Sequence, residues 1–227
     1  VTGTILLVVT SADTMGEFPR KTGYWMEELA APYYAFADAG YRVTLASPQG
    51  GTPPRDGESE KPEYRSPASE RFYADADALQ KLRTTHLLAS LSHEDFSAVF
   101  FAGGHGTMTD FPSDLSVIRT VESFYAAGKP VASVCHGPAC LVSAKDPQGA
   151  PIVAGKRFTC FTNEEEEAVG GSRYVPFLLQ SRLQHQGGIF QGSPAFTANA
   201  IADKTLITGQ NPASAAQAAQ LVLAAIA

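Results

Sequence analysis

The chain has 227 residues, a net charge of -6 from 17 basic and 23 acidic side chains, and a composition that is 44% hydrophobic and 18% charged. That length fits one α/β domain over residues 1–227 better than two full-sized ones, and folding buries roughly 70% of the extended-chain surface, so a core is available without disulfides or metals. The composition excludes intrinsic disorder, the acidic balance argues against nucleic acid as a partner, and no apolar run approaches the about 20 residues needed to span a membrane.

The opening Val1-Thr2-Gly3-Thr4 lacks the basic start of a signal peptide, and Ile5-Leu6-Leu7-Val8-Val9 is too short for its apolar region, so a cytoplasmic location is expected. Thr4 to Thr10 is a β-branched apolar run that reads as a strand. Gly23 to Ala39 has helical spacing, and Pro32 is expected to end or kink its first part, because proline lacks the N–H donor and crowds the preceding turn. Tyr41 to Ala46 is a second strand. Ser47 to about Ser69 is rich in Pro, Gly and charge and reads as a loop insertion.

Ala76 to Leu88 is expected to be helical, and Phe96 to Ala102 a strand that stops at Gly103-Gly104-His105-Gly106. A phosphate-cradling loop requires a lysine after such glycines, and none is present. Ser116 to Ala127 reads as an amphipathic helix and Pro130 to Val134 as a buried strand ending at Cys135. Ile152 to Phe158 fits a short strand or hairpin arm. Helical pieces are expected from Asn163 and from Val175 to Gln186, then a strand at Leu206-Ile207-Thr208 and an alanine-rich helix from Ala213 to Ile226. Such alternation predicts a mostly parallel sheet with helices on both faces and a site beyond the carboxyl ends of the strands.

The cysteines Cys135, Cys140 and Cys160 are odd in number and form no CxxC pair, so neither a disulfide framework nor a zinc knuckle is indicated. Cys135 sits between Val131–Val134 and His136-Gly137-Pro138, where a helix can start. A side chain on so sharp a turn projects above the sheet, and a helix N-terminus is expected to lower the thiol pKa below about 8.5. The alternative for Cys135 is a buried small hydrophobe, which is how Cys140 and Cys160 are read.

Three segments, Ala102-Gly103-Gly104-His105-Gly106-Thr107, Ala132-Ser133-Val134-Cys135-His136-Gly137-Pro138-Ala139 and Thr208-Gly209-Gln210-Asn211-Pro212-Ala213-Ser214, together resemble the DJ-1/PfpI superfamily of class I glutamine amidotransferase-like proteins. The nearer likeness is to its heat-shock chaperone and glutathione-independent glyoxalase branch, where a segment similar to Lys21-Thr22-Gly23 also precedes a helical glutamate. The resemblance implies a flavodoxin-like three-layer α/β sandwich with a mostly parallel sheet, a cysteine nucleophile elbow and a homodimer. Ser133 stands where the amidotransferase elbow usually has its first glycine, and His136 follows the cysteine immediately, unlike the distant histidine of true amidotransferases.

Trp25, Glu28, Leu29 and Pro32 fall on one helical stripe, so the Glu28 carboxyl loses hydration, favours its neutral form and can donate a hydrogen bond to a thiolate. The resemblance places the family's active-site acid on Glu28, and a surface glutamate is the alternative. It also aligns Glu166 with the residue that completes a Cys-His-Glu triad, with slippage to Glu165 or Glu167 left open. Asn163 and Glu166 fit a helix capping box as well. His105 either lines the pocket, with the Gly104 and His105 backbone shaping an oxyanion site, or caps its turn; backbone donors at His136 and the Gly103-Gly104 turn are expected to hold the oxyanion. His86, His93 and His185 share no ligand spacing, so no metal and no cofactor are expected.

The leading expectation is a cofactor-independent glyoxalase (glyoxalase III) that converts methylglyoxal or a related 2-oxoaldehyde into a 2-hydroxy acid through a Cys135 hemithioacetal. Two alternatives remain from the sequence. One is a cysteine peptidase or amidase using Cys135, His136 and Glu166. The other is a holding chaperone or redox-responsive protein that binds unfolded clients.

Overall fold

The computed structural model describes residues 3–227. In chain order the elements are β1 (Thr4–Val8), β2 (Thr14–Met15), β3 (Phe18–Lys21), α1 (Met26–Asp38), β4 (Arg42–Ser47), α2 (Pro67–Ala74), α3 (Ala76–Arg83), β5 (His86–Leu87), β6 (Ala98–Phe101), α4 (Thr107–Asp110) and α5 (Leu115–Ala126). There follow β7 (Val131–Val134), β8 (Arg157–Phe158), α6 (Asn163–Ala168), α7 (Leu179–His185), β9 (Ile189–Phe190), β10 (Ala200–Asp203), β11 (Leu206–Gly209) and α8 (Ala215–Ile226).

The main sheet has the order β10-β11-β7-β6-β1-β4-β5. Every pairing in it is parallel except that of β10 with β11. Alternation along β1 divides the core: Ile5, Leu7 and Val9 pack with Leu29 and Phe36 of α1 and Ala218 and Val222 of α8, while Leu6 and Val8 face the layer holding Val117, Val121 and Phe124 of α5. The expected three-layer flavodoxin-like architecture is present. β1 connects outward to β4 on one side and has β6 on the other, so the crevice where the connections diverge opens above the carboxyl ends of β1 and β6. No helix among the described residues is long and apolar enough to cross a membrane.

Several local expectations need correction. Helix α1 continues through Pro32. Pro32 removes the donor that the Glu28 carbonyl would otherwise use, yet burial of Leu29, Tyr33 and Phe36 on the same helix holds the segment together. The helix expected to reach Leu88 stops at Arg83, because His86 and Leu87 pair in parallel with Ala46 and Ser47 as the sheet's edge. The arm near Phe158 is no hairpin: β8 pairs in parallel with β9, an element without a visible period in the sequence. Helix α7 begins at Leu179 instead of Val175.

The insertion at 47–69 is built onto the start of α1. Tyr24 N donates to Pro54 O (3.0 Å), Asp56 N donates to Tyr24 O (3.0 Å), and buried Asp56 accepts from Thr22 Oγ1 (2.7 Å). A Cβ on Gly23 would overlap the Pro54 carbonyl, so only glycine permits this approach. The insertion also contains two 3-10 turns, Gly57–Glu60 and Pro62–Tyr64, and the beginning of α2.

Candidate active site

Cys135 follows β7 with a φ of 61°. A residue with a Cβ holds such a backbone at a cost on the order of 1–3 kcal/mol, and does so only where its surroundings over-determine it. Here its N–H donates to Gly209 O (2.9 Å) and its carbonyl accepts from Phe161 N (2.9 Å), so two flanking segments grip the turn. A Cβ on Gly137 would lie 2.5 Å from the Phe101 carbonyl oxygen, which explains the glycine after His136. The thiol lines a cavity of about 520 Å³ although the residue is only 4% exposed.

That burial reverses the expected direction of the thiol's titration. The segment after Cys135 is a five-residue 3-10 turn, Gly137–Leu141, with no long helix dipole behind it. Burial pushes the thiol well above its usual range, the Glu28 carboxyl beside it adds to the rise, and the His136 backbone N–H opposes them without prevailing.

Glu28 lies in the first turn of α1 and is fully buried. Its Oε2 accepts from Gly103 N at 2.7 Å. This removes the Gly103 amide from the oxyanion donors expected at the Gly103-Gly104 turn. Among the described residues Oε1 meets no hydrogen-bond partner. Burial lifts the carboxyl to about 8, against the opposing Cys135 thiol and Gly103 amide. Glu28 is therefore mainly protonated at neutral pH, and two groups that burial forces toward neutrality cannot both carry charge.

His136 links this pair to a third carboxyl. Its Nδ1 lies 3.4 Å from Cys135 Sγ, and its Nε2 lies 2.6 Å from Glu166 Oε2. Burial, followed by His105, lowers the His136 pKa, while Glu166 pulls the other way. Burial also acts to raise Glu166, but the two histidines outweigh it and hold its carboxyl well below the usual range. An ionised Glu166 accepts Nε2–H and leaves Nδ1 as a lone-pair acceptor directed at the sulfur. Of the three glutamates open at this position, Glu166 is the one brought to His136.

The neighbouring glutamates do other work. The capping box of α6 is Thr162 with Glu165, not Asn163 with Glu166. Moving the cap one residue earlier frees the Glu166 side chain to turn inward. Buried Glu165 accepts through Oε1 from Phe196 N (2.7 Å), Asn211 Nδ2 (2.8 Å) and Gln210 Nε2 (3.1 Å). Exposed Glu167 accepts from Ser172 Oγ (2.6 Å).

His105 joins the same network: its Nε2 lies 2.7 Å from Glu166 Oε1, and its ring centroid lies 4.0 Å from that of His136. A Cβ on Gly171 would overlap Glu166 Oε1, so the glycine makes room for the doubly engaged carboxylate. Gly104, with a φ of 104°, lines the cavity where a Cβ would overlap the Gly23 carbonyl. Candidate ligand atoms of His105, His136 and Glu166 lie within 4.8 Å of one another, a spacing a metal ion could bridge. An ion bound through the ring Nε2 atoms would displace the two hydrogen bonds to Glu166.

The fold adds lining residues that no motif in the sequence marked. Trp25, Tyr64, Phe161 and Phe196 supply an aromatic wall, with Arg20, Asp56 and Glu58 also facing the cavity. Arg20 rides on the β2–β3 hairpin and stacks over Tyr174 at 5.1 Å.

Residues 21–225 match the DJ-1/PfpI family. Glyoxalase 3 of Candida albicans is 28% identical, with 97% of each chain covered. A glutathione-independent glyoxalase of Schizosaccharomyces pombe is 30% identical, covering 97% of this chain and 95% of the relative. Among solved structures, the rapid encystment protein of Francisella tularensis is 33% identical with a TM-score of 0.94, covering 99% of both chains.

The Glu28 environment makes stability depend on pH. With a folded pKa of about 8 above an ordinary 4.5, the native state binds this proton more tightly than the unfolded chain, so the contribution is complete below pH 4.5 and lost as pH rises through 8. Glu28→Gln removes that loss. Its thermal midpoint is expected to lie near the wild-type value at pH 5 and above it at pH 8, the gap widening by about 1–3 kcal/mol, or several degrees. A constant gap between the two pH values would contradict a raised pKa.

Proposed function

The chain belongs to the DJ-1/PfpI family, and from that premise we propose that it is a glutathione-independent glyoxalase, converting methylglyoxal or a related 2-oxoaldehyde to a 2-hydroxy acid. The single observation that carries the reading is the placement of the Cys135 thiol beside the fully buried carboxyl of Glu28 and 3.4 Å from Nδ1 of His136, whose Nε2 is held by Glu166. A likeness to relatives named as glutathione-independent glyoxalases supports it.

Each group has a part in that reaction. As substrate enters, His136 Nδ1 takes the thiol proton, its other nitrogen remaining fixed by Glu166. The thiolate attacks the aldehyde carbon while Glu28 donates its proton to the aldehyde oxygen, giving a hemithioacetal. Glu28 is now a buried carboxylate with Oε1 unpartnered, hence a strong base. It removes the proton from the former aldehyde carbon while protonated His136 gives its proton to the ketone oxygen, forming the enediol. Glu28 then returns the carbon proton to the adjacent carbon and takes the proton of the former aldehyde oxygen, which leaves His136 neutral and Glu28 protonated again. The result is a 2-hydroxyacyl thioester on Cys135. Water activated by His136 hydrolyses this ester, releasing the hydroxy acid and regenerating the thiol. The His136 amide beside the sulfur is the backbone donor for the oxyanion.

The hairpin carrying Arg20, the insertion carrying Tyr64 and the segment carrying Phe196 all line the cavity that Cys135 also lines.

Reduced protein is expected to form lactate from methylglyoxal without glutathione or added metal. Cys135→Ala should give none, and Glu166→Gln should lower kcat/KM by about 10²–10⁴-fold, since an amide no longer fixes the histidine tautomer. A chiral lactate assay on the three proteins tests this. No lactate from wild-type protein with a confirmed free thiol, or undiminished turnover by Cys135→Ala, would refute the assignment.

A further inference from the structure

The cavity is much larger than its proposed chemistry requires. About 520 Å³ lies within the range of sites that bury most of a drug-sized ligand, and a three-carbon oxoaldehyde would leave most of it to water. The spare volume lies against aromatic rings. Among the lining residues, Trp25 and Tyr64 meet edge to face at 5.1 Å, and Phe161 and Phe196 meet at 6.3 Å.

Phe196 is held in place by specific contacts. It is 50% exposed and has a φ of 60°, a backbone region that residues with a Cβ rarely adopt. Its N–H donates to Oε1 of the buried Glu165 (2.7 Å), which Asn211 and Gln210 also engage. The adjoining turn is closed by Thr197 N donating to Pro194 O at 3.1 Å. A strained backbone and a buried carboxylate thus combine to keep an apolar ring in water at the mouth of the cavity. Tyr64 at 47% and Val169 at 41% are further exposed apolar side chains lining it. Large apolar groups grouped in this way mark a binding surface, whereas singly scattered ones need no explanation.

We propose that the preferred substrate is a 2-oxoaldehyde with an aromatic substituent, seated between the Trp25–Tyr64 pair and Phe196 with its dicarbonyl at Cys135. The inference rests on the glyoxalase reading. Phenylglyoxal is the probe: with one water it becomes mandelate, the aldehyde carbon being oxidised to the acid and the ketone carbon reduced to the alcohol, with no external oxidant.

The test compares initial-rate kcat/KM for phenylglyoxal and methylglyoxal in wild type, Phe196→Ala and Tyr64→Ala, measuring mandelate and lactate. Wild type is expected to favour phenylglyoxal by at least tenfold, and each substitution to reduce that ratio about tenfold. The ratio does not depend on the fraction of a preparation that is folded. A wild-type ratio at or below one, or a ratio unmoved by both substitutions, would overturn the aromatic subsite while leaving the glyoxalase reading in place. Failure of wild type on both compounds would instead remove the reading beneath it.

Discussion

Two acidic groups buried side by side without room for two charges set the behaviour of this site. Glu28 is fully buried with one oxygen held by Gly103 and the other unpartnered, and Cys135 is buried against it. Desolvation disfavours the ionised form of both, so the resting pair stays protonated near neutral pH. The thiol is therefore not a free-standing reactive anion. In the proposed reaction it becomes a nucleophile when a base takes its proton and an acid is ready for the substrate oxygen, conditions that tie reactivity to a bound carbonyl compound.

The surrounding fold maintains that arrangement from several strand ends. β7 delivers Cys135 in a left-handed backbone, β6 delivers the Gly103 amide that orients Glu28, and α1 brings the carboxyl across the crevice. α6 adds Glu166, whose two oxygens each engage a histidine. Glycines stand where another side chain would overlap these groups: Gly103 would meet Glu28 Oε2 at 2.5 Å, and Gly171 would strike Glu166. The site thus depends on close backbone approach as much as on its reactive side chains.

Much of this was legible in the sequence. The alternation of β-branched runs with helical spacing gave the mostly parallel sheet, and Glu28 was placed in the buried stripe by its position relative to Trp25 and Leu29. Cys135-His136 was marked by its place after an apolar run. Glu165, Glu166 and Glu167 could not be separated from sequence because a run of like residues hides which one caps the helix; Thr162 settles it by capping with Glu165. A helix starting after Cys135 would lower the thiol's pKa, but the residues there form only a short 3-10 turn, and local sequence does not reveal how far burial outweighs the backbone N–H beside the sulfur. Likewise, the composition of the insertion marks a loop able to roof or close a groove without deciding which, and its backbone pairing with Tyr24 makes it a wall of the cavity.

The protonation state of Glu28 is the most direct test of this account. Side-chain carboxyl NMR on protein labelled with carbon-13 at glutamate, with the Glu28 signal assigned by its disappearance in Glu28→Gln, reads that state across a pH titration. A midpoint near 8 is predicted. A midpoint near the ordinary 4.5 would mean that Glu28 is ionised at neutral pH, and would contradict its proposed role as the acid that receives the substrate.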